Sequence, residues 1–207
     1  MSWSEVAVVV GAALVLAVWW VWVAASRLDR LHRKVASSRS ALENQLVRRA
    51  SVAAELAGSG LLDPASTVLV GEAAWTALGA REVTEETPRE LAEALAGTAH
   101  HVAGPDDREA AESELSRTLR IALDDRDEVA ELSASPLGHE LLAALAATWY
   151  RVQLSRRFHN EAVAQTQRVR RKPAVRLLRL HGHAPVPHTV EIDDGWPDWL
   201  TRPGQVG

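Results

Sequence analysis

The chain begins with a stretch of twenty residues, Val6 to Ala25, that carries no charge and is apolar on every helical face. At about 1.5 Å of rise per residue, such a helix covers about 30 Å, the thickness of a bilayer's hydrocarbon layer. Trp19, Trp20 and Trp22 crowd one end and Trp3 lies near the other, where indole rings settle at a membrane interface. Val23-Ala24-Ala25 has the small residues of a signal-peptide cleavage site. No Lys or Arg precedes the run, however, and the run is longer than a signal peptide's apolar core. The pattern predicts an uncleaved transmembrane helix over 6–25, after a short segment at 1–5.

Beyond the span the periodicity becomes amphipathic. Leu28, Leu31, Val35, Leu42, Leu46, Ala53 and Leu56 share one face, with Arg49 on the same stripe, so the span continues into a first bundle helix that ends at Gly58-Ser59-Gly60. Asp63-Pro64, an N-cap followed by proline, opens a helix to about Ala80. Thr87-Pro88 repeats the device for a short helix to about Ala103, which Gly104-Pro105 breaks. A third long helix then runs to about Leu132, with Ala111, Leu115, Leu119, Ala122 and Val129 on one side. After a turn at Ser135-Pro136 and Gly138, the last helix runs from about Leu137 to Lys172, and Pro173 ends or kinks it. Its core face carries Leu145, Trp149, Val152, Arg156, His159 and Val163. Prolines and glycines mark 181–207 as an irregular tail, extended over Val186 to Ile192 and docked through Trp196 and Trp199. The expectation is an all-α protein: a transmembrane helix continuing into a long up-down helical bundle over 26–180, then the tail.

Composition supports this picture and narrows the chemistry. Hydrophobic residues make up 47% of the 207, enough for a core, while strand formers are scarce. Cysteine is absent, which excludes disulfides and thiolate metal sites. Charge is unevenly spread. Residues 26–60 hold seven Lys/Arg against three Asp/Glu, 63–140 six against eighteen, and 151–180 nine against one. The simplest reading is a self-complementary bundle with basic helices laid against acidic ones. Nucleic-acid binding is not expected, because no aromatic interleaving accompanies the basic stretches.

Flanking charge gives the span a direction. Glu5 precedes it, whereas Arg27, Arg30, Arg33, Lys34 and Arg39 follow, so the amino terminus is expected outside and the domain in the cytoplasm. If four long helices alternate in direction, the last returns toward the membrane. Arg168, Arg170, Arg171, Lys172, Arg176 and Arg179 at its end would then meet anionic lipid, and Leu177, Leu178 and Leu180 would dip into the interface. A full antiparallel helix over 88–103 would reverse that parity.

Candidate chemistry is sparse. Arg81-Glu82-Val83-Thr84-Glu85-Glu86 looks like the core of a Nudix box, whose glutamates hold a divalent metal beside a pyrophosphate. Where that box requires an upstream glycine and glutamate this chain has Thr67 and Ala73, and its closing glycine is Pro88. An acidic helix segment is the simpler reading of these residues, and hydrolysis of a nucleoside-diphosphate-linked substrate by Glu82, Glu85 and Glu86 is the alternative function. His181, His183 and His188 near Glu191, Asp193 and Asp194 offer zinc-type ligands without a metal motif's spacing. His100-His101 reads as favourable charge at a helix end. Arg49 and Arg156 on core stripes need partners, and a carboxylate such as Glu112 suits either. No catalytic, cofactor or metal residue is assigned.

Three stretches resemble the LemA family of bacterial membrane-anchored helical proteins. The first is Leu28-x-x-Leu31-x-x-x-Val35 followed by Leu42-x-x-Gln45-Leu46-x-Arg48-Arg49, directly after the apolar span. The second is Ala111-Glu112-Ser113-Glu114-Leu115-Ser116, and the third is Arg156-Arg157-Phe158-His159-Asn160-Glu161-Ala162-Val163. Arg39 stands where that family has Trp, Ser51-Val52-Ala53-Ala54 where it has an aspartate-leucine-isoleucine-proline segment, and His159 where it has Tyr. The resemblance implies a single-span anchor, a long antiparallel helical bundle and no catalytic residues. The functional expectation is a membrane-tethered scaffold for an unidentified protein partner.

Overall fold

A computed structural model describes residues 3–86, 105–180, 182 and 184–204, and these are all-α, with no strand among them. Six helices are seen: α1 (Trp3–Gly58), α2 (Pro64–Glu86), α3 (Pro105–Ala122), α4 (Arg126–Ala134), α5 (Pro136–Arg170) and α6 (Pro173–Leu177). The helix expected over 88–103 lies outside the described residues.

Local chemistry explains the boundaries. The apolar span and the first amphipathic stripe form one uninterrupted helix, α1, whose end turns through Gly60 at φ +72°, a conformation glycine adopts without steric cost. The Asp63 carboxylate accepts hydrogen bonds from the amides of Ala65 (2.9 Å) and Ser66 (3.2 Å), capping α2 behind Pro64. The Ser66 hydroxyl, and after it these amides, favour the charged form and hold its carboxyl below the usual range. The long third helix expected to Leu132 is instead two. Asp125, in an extended conformation, accepts from the amides of Asp127 (2.7 Å) and Glu128 (3.2 Å), and this cap starts α4 as a separate helix. The apolar spacing carries across the break, so periodicity alone concealed it. Gly138 allows α5 to start hard against α4, since a Cβ there would lie 2.0 Å from the Leu132 carbonyl oxygen. Pro173 ends the last long helix as expected, and a further short helix, α6, follows it.

The chain divides into two compact units, Met1–Ser40 with Phe158–Thr189, and Ala41–Arg157 with Val190–Gly207. In the first unit, Leu28 and Leu31 of α1 pack on Val169 of α5, on Val175 of α6 and on Leu180. Farther along α1, Ser38 Oγ lies 3.1 Å from His159 Nδ1, so α5 runs antiparallel to α1. In the second unit the main core joins Ala50, Ala53 and Leu56 to Val70, Ala74 and Ala77 of α2, Leu115 and Leu119 of α3, and Leu145 and Trp149 of α5. There α2 packs on α3. Pairings of Glu43 with Arg108 and of Arg49 with Glu112 show that α3 runs parallel to α1. The expected up-down order is thus observed in the pairings inside each unit.

Candidate membrane-contact site

One segment, the N-terminal part of α1, is long and apolar enough to cross a membrane, and none of its most apolar window is buried within the protein. Every described side chain from Trp3 to Trp20 is exposed, including Val8, Leu14, Leu16 and Trp19. Cover begins where the apolar run ends: Ala24 to Ser26 are half-buried and Leu28 is 1% exposed. Packing therefore sets the same boundary that composition does.

The material covering Leu28 and Leu31 is the end of α5, then α6. Arg170 reaches His32, with 3.2 Å between Nη1 and Nε2, and also donates to the carbonyls of Pro185 (2.9 Å) and Ala184 (2.9 Å). His32 stands seven residues past Ala25, about 10 Å along a helix axis. Thus the basic cluster lies beside the root of the apolar helix, within the first unit. Arg168, Arg171, Lys172, Arg176 and Arg179 are exposed, and their side chains have no hydrogen-bond or ion-pair partner among the described residues. Leu177 and Leu178, next to them, are exposed too, at 84% and 46%. Leu180, expected to dip outward as well, instead packs inward on Leu28 and Leu31.

Charge sorts by unit. The first unit holds eleven Lys/Arg and three Asp/Glu, and the second twelve and twenty-four. Basic helices laid against acidic ones are therefore only part of the picture, because the two basic arms of the sequence meet each other. Within the first unit, Asp29 is paired with Arg33 one turn along α1.

Several charged residues of the second unit pair with one another. Arg49, wholly buried, donates to Glu112 Oε2 (3.0 Å), to the Glu112 carbonyl (3.1 Å) and to Ser116 Oγ (2.9 Å), and lies over the Trp149 ring at 5.1 Å. Arg108 adds an ion pair to Glu43 at 3.0 Å and approaches Glu112 at 3.6 Å. Burial pushes the Glu112 carboxyl above the usual range, and Arg49 and Arg108 pull it back. Arg49, Arg108 and Glu112, all buried, with half-buried Glu43 at their edge, fix the register of α1 against α3.

Arg156 does not share Glu112. Its Nε and Nη2 bind the two oxygens of Asp194 at 2.8 and 3.0 Å, so its partner comes from the tail. Trp149 Nε1 (3.1 Å) and Gln153 Nε2 (2.7 Å) donate to the Asp194 carbonyl. Arg120 binds Asp193 through two contacts, 2.9 and 2.6 Å, which hold that carboxyl below the usual range. The amides of Glu191 and Asp193 donate to Glu109 Oε2 (2.8 Å) and Ser113 Oγ (3.0 Å), so this stretch bonds to side chains of α3 and forms no sheet ladder. Val190 and Ile192 fill a small cluster with Leu42, Leu46 and Val152. Of the two tryptophans expected to dock the tail, Trp196 packs on Trp149 with ring centres 6.2 Å apart, whereas Trp199 stays 46% exposed beneath Arg126.

Asp193 and Asp194, proposed from sequence beside the histidines, are thus held by arginines, while His181 and His183 lie outside the described residues. No group of three metal-ligating side chains occurs among the described residues. The Nudix-like stretch forms the helical end of α2, though its side chains, like the residues after Glu86 and His100-His101, lie outside the description.

No protein-family model matches the chain, and no curated protein or solved structure is significantly similar to it.

Proposed function

We propose that this is a single-span membrane protein whose helical domain is a non-enzymatic scaffold, as the LemA resemblance implies. The reading rests on one observation above others. The apolar part of α1 has no packing partner among the described residues, and packing starts immediately behind it, at Leu28. Leaving such a surface in water costs on the order of tens of kcal/mol at about 25 cal/mol per Å², a cost that a bilayer removes. Cations flanking the span at Arg27, Arg30 and Arg33 favour an outside amino terminus and a cytoplasmic domain. The return of Arg168 to Arg179 to the root of the span adds a basic surface suited to the anionic cytoplasmic leaflet. The non-catalytic reading is supported by the network of Arg49, Arg108, Glu112 and Glu43, whose charges face one another.

Membrane fractionation tests the anchor: the intact chain stays with membranes after an alkaline carbonate wash, and a chain lacking residues 1–25 is released. Orientation is read from single-cysteine chains, Ser2→Cys and Ser133→Cys, probed with an impermeant maleimide; the native chain contributes no background thiol. Labelling of Ser133→Cys on intact cells would overturn the orientation, and carbonate release of the intact chain would overturn the anchor.

A further inference from the structure

Beside the exposed cations lies a cavity of about 480 Å³ lined by Gln167, Arg170, Arg171, Arg176, Val186 and His188. Among the described residues, three guanidinium groups and an imidazole line it, and no carboxylate does. Its frame is fixed: Gln167 Nε2 donates to the Pro187 carbonyl at 2.8 Å, and Arg170 holds the carbonyls of Pro185 and Ala184. These bonds tie the irregular segment 184–188 to α5 and build one wall. Arg171 and Arg176 supply the other charged groups, and neither has a side-chain partner among the described residues.

Several guanidinium groups converging on an open volume without a counter-ion repel one another, and a tetrahedral oxyanion relieves that repulsion. Arg forks match phosphate oxygens in bidentate geometry, and such charge-assisted bonds are about twice as strong as neutral ones. Position selects the source of the phosphate. Arg170, on the cavity wall, is bonded to His32, about 10 Å past the end of the apolar run, close to headgroup depth in a bilayer. Leu177, following Arg176, is 84% exposed, which suits an acyl-chain boundary better than bulk water.

We propose that Arg170, Arg171, Arg176 and His188 form a seat for a phosphate group, supplied by the headgroup of an anionic phospholipid in the leaflet into which α1 enters. The proposal rests on the membrane-anchored reading and adds a discrete site to its diffuse basic surface.

The test uses the full chain in nanodiscs of phosphatidylcholine mixed with a minority of phosphatidylglycerol, with retained lipid counted by native mass spectrometry. The wild type is expected to retain a phosphatidylglycerol in preference to phosphatidylcholine. Arg171→Gln with Arg176→Gln should lower that preference by about thirtyfold, at roughly 1 kcal/mol per charge near an anionic surface. Arg27→Gln with Arg30→Gln removes two charges that do not line the cavity and should leave it intact. Equal loss in both double variants would overturn the seat in favour of diffuse attraction, leaving the anchor untouched. Displacement of the lipid by millimolar inorganic phosphate would overturn the lipid as source. Carbonate washing of the same chains reports the anchor separately, and far-UV circular dichroism confirms that each variant folds.

Discussion

Arg156 on α5 binds both carboxylate oxygens of Asp194, and this fork joins residues thirty-eight positions apart. Trp149 and Gln153 hold the same residue's carbonyl, so one tail position collects four hydrogen bonds from α5. Asp194→Asn keeps the shape and removes the charge. It is expected to destabilise the second unit by about 2 kcal/mol, the scale of hydrogen bonds to a charged group. Urea unfolding in mild detergent measures the loss.

Arg49 and Glu112 form a pair with neither side chain accessible. Arg49→Met alone, or Glu112→Leu alone, takes the directly hydrogen-bonded partner from a buried charge and should cost about 3–5 kcal/mol. The double variant should cost far less than the sum, because no charge is stranded between these positions. A double-mutant cycle checks this; additive losses would show that packing, not pairing, sets the cost.

Acid should loosen the tail. Arg120 donates to Asp193 and depresses its carboxyl below the ordinary value near 3.8. A depressed folded pKa means the stabilisation is complete above the unfolded value and is lost as pH falls through the folded one. Tryptophan fluorescence of the native chain should therefore change below about pH 4. In Asp193→Asn that component of the titration should vanish.

Leu28 is nearly inaccessible at the start of the small cluster that holds α6. Leu28→Ala should cost that cluster about 3 kcal/mol, within the usual range for a buried leucine. Hydrogen exchange should accelerate over 173–180 while 141–149, in the other unit's core, keeps its protection.

Much of this architecture is legible in one dimension because it is decided by short-range physics. Twenty uncharged residues choose their solvent before any tertiary contact forms. Caps at Asp63-Pro64 and the turn at Ser135-Pro136 work within a few bonds of themselves, and the stripe through Leu28, Leu42, Leu46 and Leu56 needs only helical periodicity. That Arg49 required a carboxylate, with Glu112 a suitable one, also followed from its place on that stripe.

Other features needed the packed chain. The break at Asp124-Asp125 was hidden because the apolar spacing continues through it. Periodicity reports which face of a helix is buried but not what faces it, so Arg156's choice of Asp194 over Glu112, and Trp196's docking rather than Trp199's, had no local signature. The meeting of the basic arms depended on direction and register. Antiparallel pairing of α5 with α1 brings Arg170 to His32 across 138 positions, where the cations accumulate instead of cancelling. Solvent preference and capping belong to the sequence, because they act over a few residues. Partner choice belongs to the tertiary structure, because it depends on which helix faces meet and at what height.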